Sequence, residues 1–222
     1  EKLEHGYYAD TVILGLIAGD LDRALFTVYN FYSGGDKTKP KFIFENNAVS
    51  VVNQPCAVNE SLRQEYDNFK TSEVFNQNPG FTPSVFERSF WDYSYFWRLL
   101  KSSIHQRANR KSPVYIADDE RLSYCLNILK YLKNICDERR IHLVVLILGN
   151  NNTFSDRKTI EKPWHVLEGK LRQHNIDMIN ADDYQYAIYT KDKHKIIHPT
   201  EGIHYSEEGR RILADFLKTK LF

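Results

Sequence analysis

Ile141 to Leu148, Ile-His-Leu-Val-Val-Leu-Ile-Leu, is the stretch that most constrains the fold. It shows no alternation of apolar and polar residues, so both of its faces are expected to be buried, as in a parallel strand covered by helices on each side. It is far shorter than the ~20 residues a bilayer span requires. Directly before it, Glu120 to Arg140 carries Leu122, Cys125, Leu126, Leu129, Leu132 and Cys136 at spacings of three and four, the single apolar stripe of an amphipathic helix. A helix feeding a doubly buried strand is one unit of an α/β sheet.

The rest of the chain repeats that grammar. Thr11 to Ala18 is a second continuous apolar run, rich in branched residues, and ends at Gly19-Asp20. Trp164 to His174 reads as a helix, Ile176 to Asn180 as a short strand, and a last helix starts near Ser206, with Ile212, Leu213, Phe216 and Leu217 turned inward. Between the first and second strands lies a different composition. Lys41 to Val52 holds two β-prone runs around Asn46-Asn47, the pattern of a tight hairpin. A short helix is expected near Leu62 to Phe69, then a long irregular loop. Ser89 to Ile104 is crowded with aromatics (Phe90, Trp91, Tyr93, Tyr95, Phe96 and Trp97) and is expected to form a helix packed on the sheet. The predicted architecture is α/β, a three-layer sandwich with a mostly parallel sheet and a β-hairpin excursion near 41–52. One domain spans 1–222, with an inserted hairpin and aromatic segment at about 33–110.

A chain of 222 residues, 42% hydrophobic and 27% charged, supports a sizeable core and is not disordered. The net charge of +1 argues against a general nucleic-acid or membrane electrostatic footprint. Cys125 and Cys136, eleven residues apart on one helix, stand ~16 Å apart and cannot bridge. Either would in principle pair with Cys56, but the count is odd, and buried thiols are the favoured reading.

Ligands in open parallel sheets bind beyond the carboxyl ends of the strands. Three features are expected at that edge: Gly19-Asp20, the polar loop Asn150 to Asn152, and the segment Glu201-Gly-Ile-His204 before the last helix. A carboxylate that accepts from one imidazole nitrogen fixes the tautomer and leaves the other nitrogen to take a proton, so Glu201 and His204 suit an orienting acid and a general base. Gly19, Asp20 and Asn150 are candidates to meet a substrate oxygen. Ser206 is expected to cap the last helix, Glu207 and Glu208 to complement its dipole, and Gly209 to permit close packing. His194, His198, Glu201 and His204 also have zinc-type donors, although Pro199 keeps His194 and His198 from sharing a helix face. Ser33, Ser50 and Ser206 are each weak nucleophile candidates: Ser33 follows no clear buried strand, Ser50 lies in the hairpin, and Ser206 is explained by capping.

These segments resemble the SGNH (GDSL-like) hydrolase superfamily, and within it the bacterial domains that act on acylated carbohydrates. Ala9 to Leu21 looks like the strand that ends in the Gly-x-Asn-Asp block, and Ser94 to Leu100 like the aromatic helix in the middle. Leu122 to Leu148 looks like the helix and strand before the last block. Gly202-Ile-His204, with Ser206 and Gly209, looks like the Asp-x-x-His block and its following helix. The resemblance covers the chain from about Tyr8 and implies a flavodoxin-like fold, no cofactor, and ester hydrolysis or acyl transfer by a serine, with an extracytoplasmic location. It implies that His204 is the base and that Glu201 replaces the aspartate. The chain departs from the pattern in three ways. The serine block falls upstream of this sequence, so an upstream segment or a partner would supply it. Gly19 or Asp20 stands where the oxyanion asparagine belongs. Glu stands for Asp. Two alternatives remain: a non-catalytic module binding carbohydrate or protein, and a metal-dependent hydrolase using His194, His198 and His204.

Overall fold

A computed structural model describes residues 9–27, 38–45, 48–54, 60–78, 81, 83, 87, 89–108, 120–198 and 204–221. The chain divides into two compact units, 1–21 with 114–222, and 22–113.

The first unit is built on a three-stranded parallel sheet. Strand β1 (Thr11–Leu16) pairs with the strand His142–Ile147, which pairs in turn with Asp177–Asn180. Numbered along the chain after the hairpin strands β2 (Lys41–Glu45) and β3 (Ala48–Val52), these two are β4 and β5, and the sheet order is β1-β4-β5. The central position of β4 accounts for its composition: Leu143, Val145 and Ile147 join one core, while the alternating Val144 and Leu146 are buried on the other face. β1 differs from its expected form. It stops at Leu16, one face carries exposed Thr11, Ile13 and Gly15, and the other packs Val12, Leu14 and Leu16 on the core. Among the described residues it is an edge strand, and its continuous apolar run does not report burial on both faces.

Helix α1 (Ala18–Leu25) follows β1 directly, and the division between the units falls inside it. The predicted stripe forms α5 (Glu120–Glu138), whose Leu122, Cys125, Leu126, Leu129 and Cys136 are buried in the sheet's core together with Leu167 and Leu171 of α7 (His165–Gln173). Cys125 and Cys136 are unbridged, and burial pushes the Cys125 thiol up to about 12. Cys56 lies outside the described residues. Three further helices lie in the connections between the predicted elements: α6 (Asn151–Asp156), α8 (Ala181–Tyr189) and α9 (Lys193–Ile196). The last helix, α10 (Glu207–Leu221), packs on α8 and α9. Phe154, Ile196 and Ile197 form a second small core there with Tyr186, Tyr189, Tyr205 and Ile212.

In the second unit β2 and β3 pair antiparallel, Lys41 opposite Val52 and Glu45 opposite Ala48. The predicted turn Asn46-Asn47 lies outside the described residues, as does Ser33. Helices α2 (Glu60–Asp67) and α3 (Glu73–Asn76) follow. Phe75 is fully buried, with Tyr66 and Phe81 edge-on to it at 4.9 and 5.4 Å. A 3₁₀ turn (Phe90–Tyr93) leads into α4 (Tyr95–Ala108). The aromatic helix therefore forms, but its rings are exposed and do not fill a core. No helix among the described residues is long and apolar enough to cross a membrane.

Candidate functional site

The parallel register sets the carboxyl ends of the three strands side by side, Leu16 against Ile147 and Ile147 against Asn180. Each strand end runs within a few residues into a helix. After β1, Asp20 sits in the first turn of α1, and its carboxylate accepts from Ile17 N–H at 3.0 Å. Gly19 and Asp20 thus belong to a helix start and not to a loop beyond a longer strand. The Asp20 carboxylate is thereby engaged at the start of α1.

After β4, Gly149 and Asn150 make the turn into α6. Asn150 is the N-cap: its side-chain oxygen accepts from Asn152 N–H and Thr153 N–H, both at 3.0 Å. The side-chain NH₂ of Asn150 has no partner among the described residues and remains a donor at this edge. Gly149 allows a close approach. A Cβ there would collide with the Phe154 ring and the Asp182 carboxylate.

After β5, Asn180 caps α8, accepting from Asp183 N–H at 3.2 Å. Asp182 turns inward and is fully buried. It accepts from Arg157 Nε at 3.0 Å and Nη2 at 2.5 Å, from Thr153 Oγ1 at 3.1 Å and from Trp164 Nε1 at 3.2 Å. Burial pushes its carboxyl upward, and the bonds and charge of Arg157 pull against that. For Arg157 burial works downward, but Asp182 and Asp183 outweigh it and hold the guanidinium firmly charged. One turn further on α8, Gln185 accepts from Gly149 N–H at 2.9 Å, while its own Nε2 is buried without a partner among the described residues.

The last segment is tied to this same edge. Ile197 and Tyr205 form an antiparallel bridge, His198 N–H donates to His204 C=O at 2.8 Å, and Ser206 N–H donates to Ile196 C=O at 2.9 Å. Tyr205 Oη then donates to Gly149 C=O at 2.5 Å. His204, adjacent in sequence, is exposed and makes no ring hydrogen bond among the described residues. Ser206 Oγ accepts from Gly209 N–H at 2.9 Å and donates to Lys195 C=O at 2.6 Å, so it is a cap and its hydroxyl is occupied. Glu201 lies outside the described residues.

His194 lies in α9, whose first turn is capped by Asp192, whereas His198 follows the extended residue Ile197. Among the described residues no group of three or more His, Cys, Asp or Glu is arranged to hold a metal ion. His194, His198 and His204 do not converge as a triad.

Tyr205, Gln185, Asp182 and Arg157 are the members of this edge that sequence reasoning missed. A partial signal existed: Asn180 three residues before Asp183 has the spacing of a helix start, from which α8 and its inward face follow. No family model matches the chain, and no curated protein or solved structure is significantly similar to it.

Proposed function

We propose that the chain is the C-terminal part of an SGNH-like ester hydrolase or acyltransferase domain acting on acyl esters, O-acetylated carbohydrate among them. His204 is the base and Glu201 the acid that orients it. Gly19 and Asn150 are the edge residues nearest the acyl oxygen, where the Asn150 NH₂ is the available side-chain donor. The nucleophilic hydroxyl comes from an upstream segment or a partner. In this reading the three parallel strands belong to the middle layer of a three-layer sandwich.

The observation that carries the proposal is the anchoring of the His204 segment to the carboxyl edge of the sheet through Tyr205 and Gly149. A base on an exposed, backbone-pinned segment has a ring open to a ligand, which supports this reading. The test is acetate release from 4-nitrophenyl acetate and from an O-acetylated glycan by the chain together with the upstream segment or partner that supplies the hydroxyl. Turnover is expected, with a loss of ~10²–10⁴-fold in His204→Ala. Turnover that survives this change would remove His204 from the mechanism.

One observation favours a second reading, a non-catalytic module that binds carbohydrate or protein: the Ser206 hydroxyl, the nearest serine in sequence to His204, is consumed by capping. That reading requires binding of the O-acetylated glycan by calorimetry without turnover, and largely unchanged by His204→Ala.

A further inference from the structure

The exposed aromatic segment of the second unit takes no part in the reading above. Phe90 is 80% exposed, Tyr93 89% and Phe96 72%, and Trp91, Tyr95, Leu99 and Ile104 are exposed as well. Large apolar side chains are found exposed singly on most proteins, but a contiguous set marks an interaction surface. The set is held in place. Ser89 N–H donates to Asp92 at 2.6 Å and fixes the 3₁₀ turn. Lys101 Nζ reaches back from α4 to Asp92 at 3.6 Å and to Glu87 C=O at 2.9 Å, tying turn and helix together. Phe90 lies edge-on to Trp91 and Tyr93, at 5.9 and 6.2 Å between ring centres.

The distribution around α4 identifies the kind of partner. At ~100° per residue, Tyr95, Leu99, Phe96, Leu100, Ile104 and Trp97 sweep an arc of ~200°, and Arg98 and Lys101 fall in the remainder. A helix that docks in a protein groove needs a stripe about half as wide, with anchors at i, i+3, i+4 and i+7. A broad arc rich in Trp, Tyr and Phe and flanked by basic residues suits a boundary that conforms to it, with hydrocarbon below and headgroups above. Charge agrees with this. From Ser89 to Lys111 the sequence has Arg98, Lys101, Arg107, Arg110 and Lys111 against the single acid Asp92, in a chain whose net charge is only +1. Asp92 is already paired with Lys101. In sequence, the segment is therefore a local cationic excess, complementary to anionic lipid.

We propose that the 3₁₀ turn and α4 form a peripheral docking surface for an anionic lipid bilayer, with the aromatic arc seated at the headgroup boundary. The inference stands independently of the acyl-ester reading.

The experiment is co-sedimentation of the full chain with vesicles of phosphatidylcholine alone and of phosphatidylcholine with one third phosphatidylglycerol, read together with tryptophan emission. Of the three tryptophans, Trp164 is already buried, so a blue shift on binding reports Trp91 and Trp97. The expected result is at least several-fold more bound protein on the anionic vesicles, a blue shift, and weakening with added salt. Trp91→Ser with Phe96→Ser should abolish both signals without changing the unfolding midpoint, because both side chains are exposed. Absence of binding to either vesicle overturns the proposal, as does binding that the double substitution leaves intact. Concentration-dependent self-association removed by the same substitutions, with no vesicle binding, also overturns it and assigns the arc to a second copy of the chain.

Discussion

Asp182 and Arg157 lie beneath the edge that carries Asn150 and the His204 segment, and their burial decides what a substitution there costs. The Asp182 side chain is wholly inaccessible and that of Arg157 nearly so, whereas Asp183, which also pairs with Arg157, is 60% exposed. An amide at 182 would turn an NH₂ group toward the guanidinium or withdraw one acceptor oxygen from it, leaving a buried cation undercompensated. Breaking one side of a buried pair costs about 3–5 kcal/mol, against about 0–1 kcal/mol for an exposed one. Asp182→Asn should therefore lower the urea midpoint strongly, and Asp183→Asn should barely move it. Equal effects would mean that the two carboxylates share the charge of Arg157 evenly. Tyr205 supplies a pH signature at the same edge. Burial pushes its hydroxyl up to about 12 from an ordinary value of 10.0. The folded state thus holds the phenolic proton more tightly than the unfolded chain, so this contribution is complete below pH 10 and is lost as pH rises from 10 to 12. Tyr205→Phe should flatten that part of the pH–stability curve relative to the parent, at the cost of the hydrogen bond to Gly149, about 1 kcal/mol.

Between elements, two helical glycines provide opposite tests of packing. A Cβ on Gly209 would stand 2.5 Å from the Ile196 carbonyl oxygen and 3.0 Å from its Cα, both backbone atoms, so α10 would have to move off α9. A Cβ on Gly169 in α7 meets nothing within 4 Å. Gly209→Ala should destabilise by about 1–3 kcal/mol despite its better helix propensity, and Gly169→Ala should stabilise by up to about 1 kcal/mol. Thermal unfolding of the pair checks both signs, and stabilisation by Gly209→Ala would show that α9 yields. The role of Gly209 was readable in the sequence because it sits three residues after a capping serine. The α5 stripe and β4 were readable for a related reason: each writes its burial into consecutive residues. The position of β1 at a sheet edge was not, because an apolar run looks the same whether one face or two are covered. Likewise the polar string Asn150 to Asn152 reads as a loop, yet it caps and opens α6. Asp182 and Arg157 are 25 positions apart, so no local pattern announces their pairing. Of the candidate site, the histidine segment and the strand-end turns were legible as chemistry. The contact that joins them, Tyr205 to Gly149, spans 56 positions and is a property of the fold alone.

For the molecule as a whole, the consequential feature is the outer edge of β1. Asp10 C=O accepts from His142 N–H and Leu16 C=O from Leu148 N–H, so the even-numbered residues face β4. By the two-residue period, the N–H and C=O groups of Thr11, Ile13 and Gly15 point the other way. The strand Thr-Val-Ile-Leu-Gly-Leu has no charge and no proline, the usual guards of a sheet edge. Among the described residues nothing pairs with that side. Under the acyl-ester reading it is the natural seat for the strand that brings the nucleophile. An uncovered edge of this kind is also open to pairing between copies. Ile13 is 43% exposed, so a lysine there keeps its charge in water and adds repulsion across any β1–β1 contact. Ile13→Lys should change stability by no more than about 0.5 kcal/mol and should suppress the concentration-dependent light scattering expected of the parent. A large loss of stability would mean that the Ile13 face is covered in solution, and unchanged scattering would move the association to another surface.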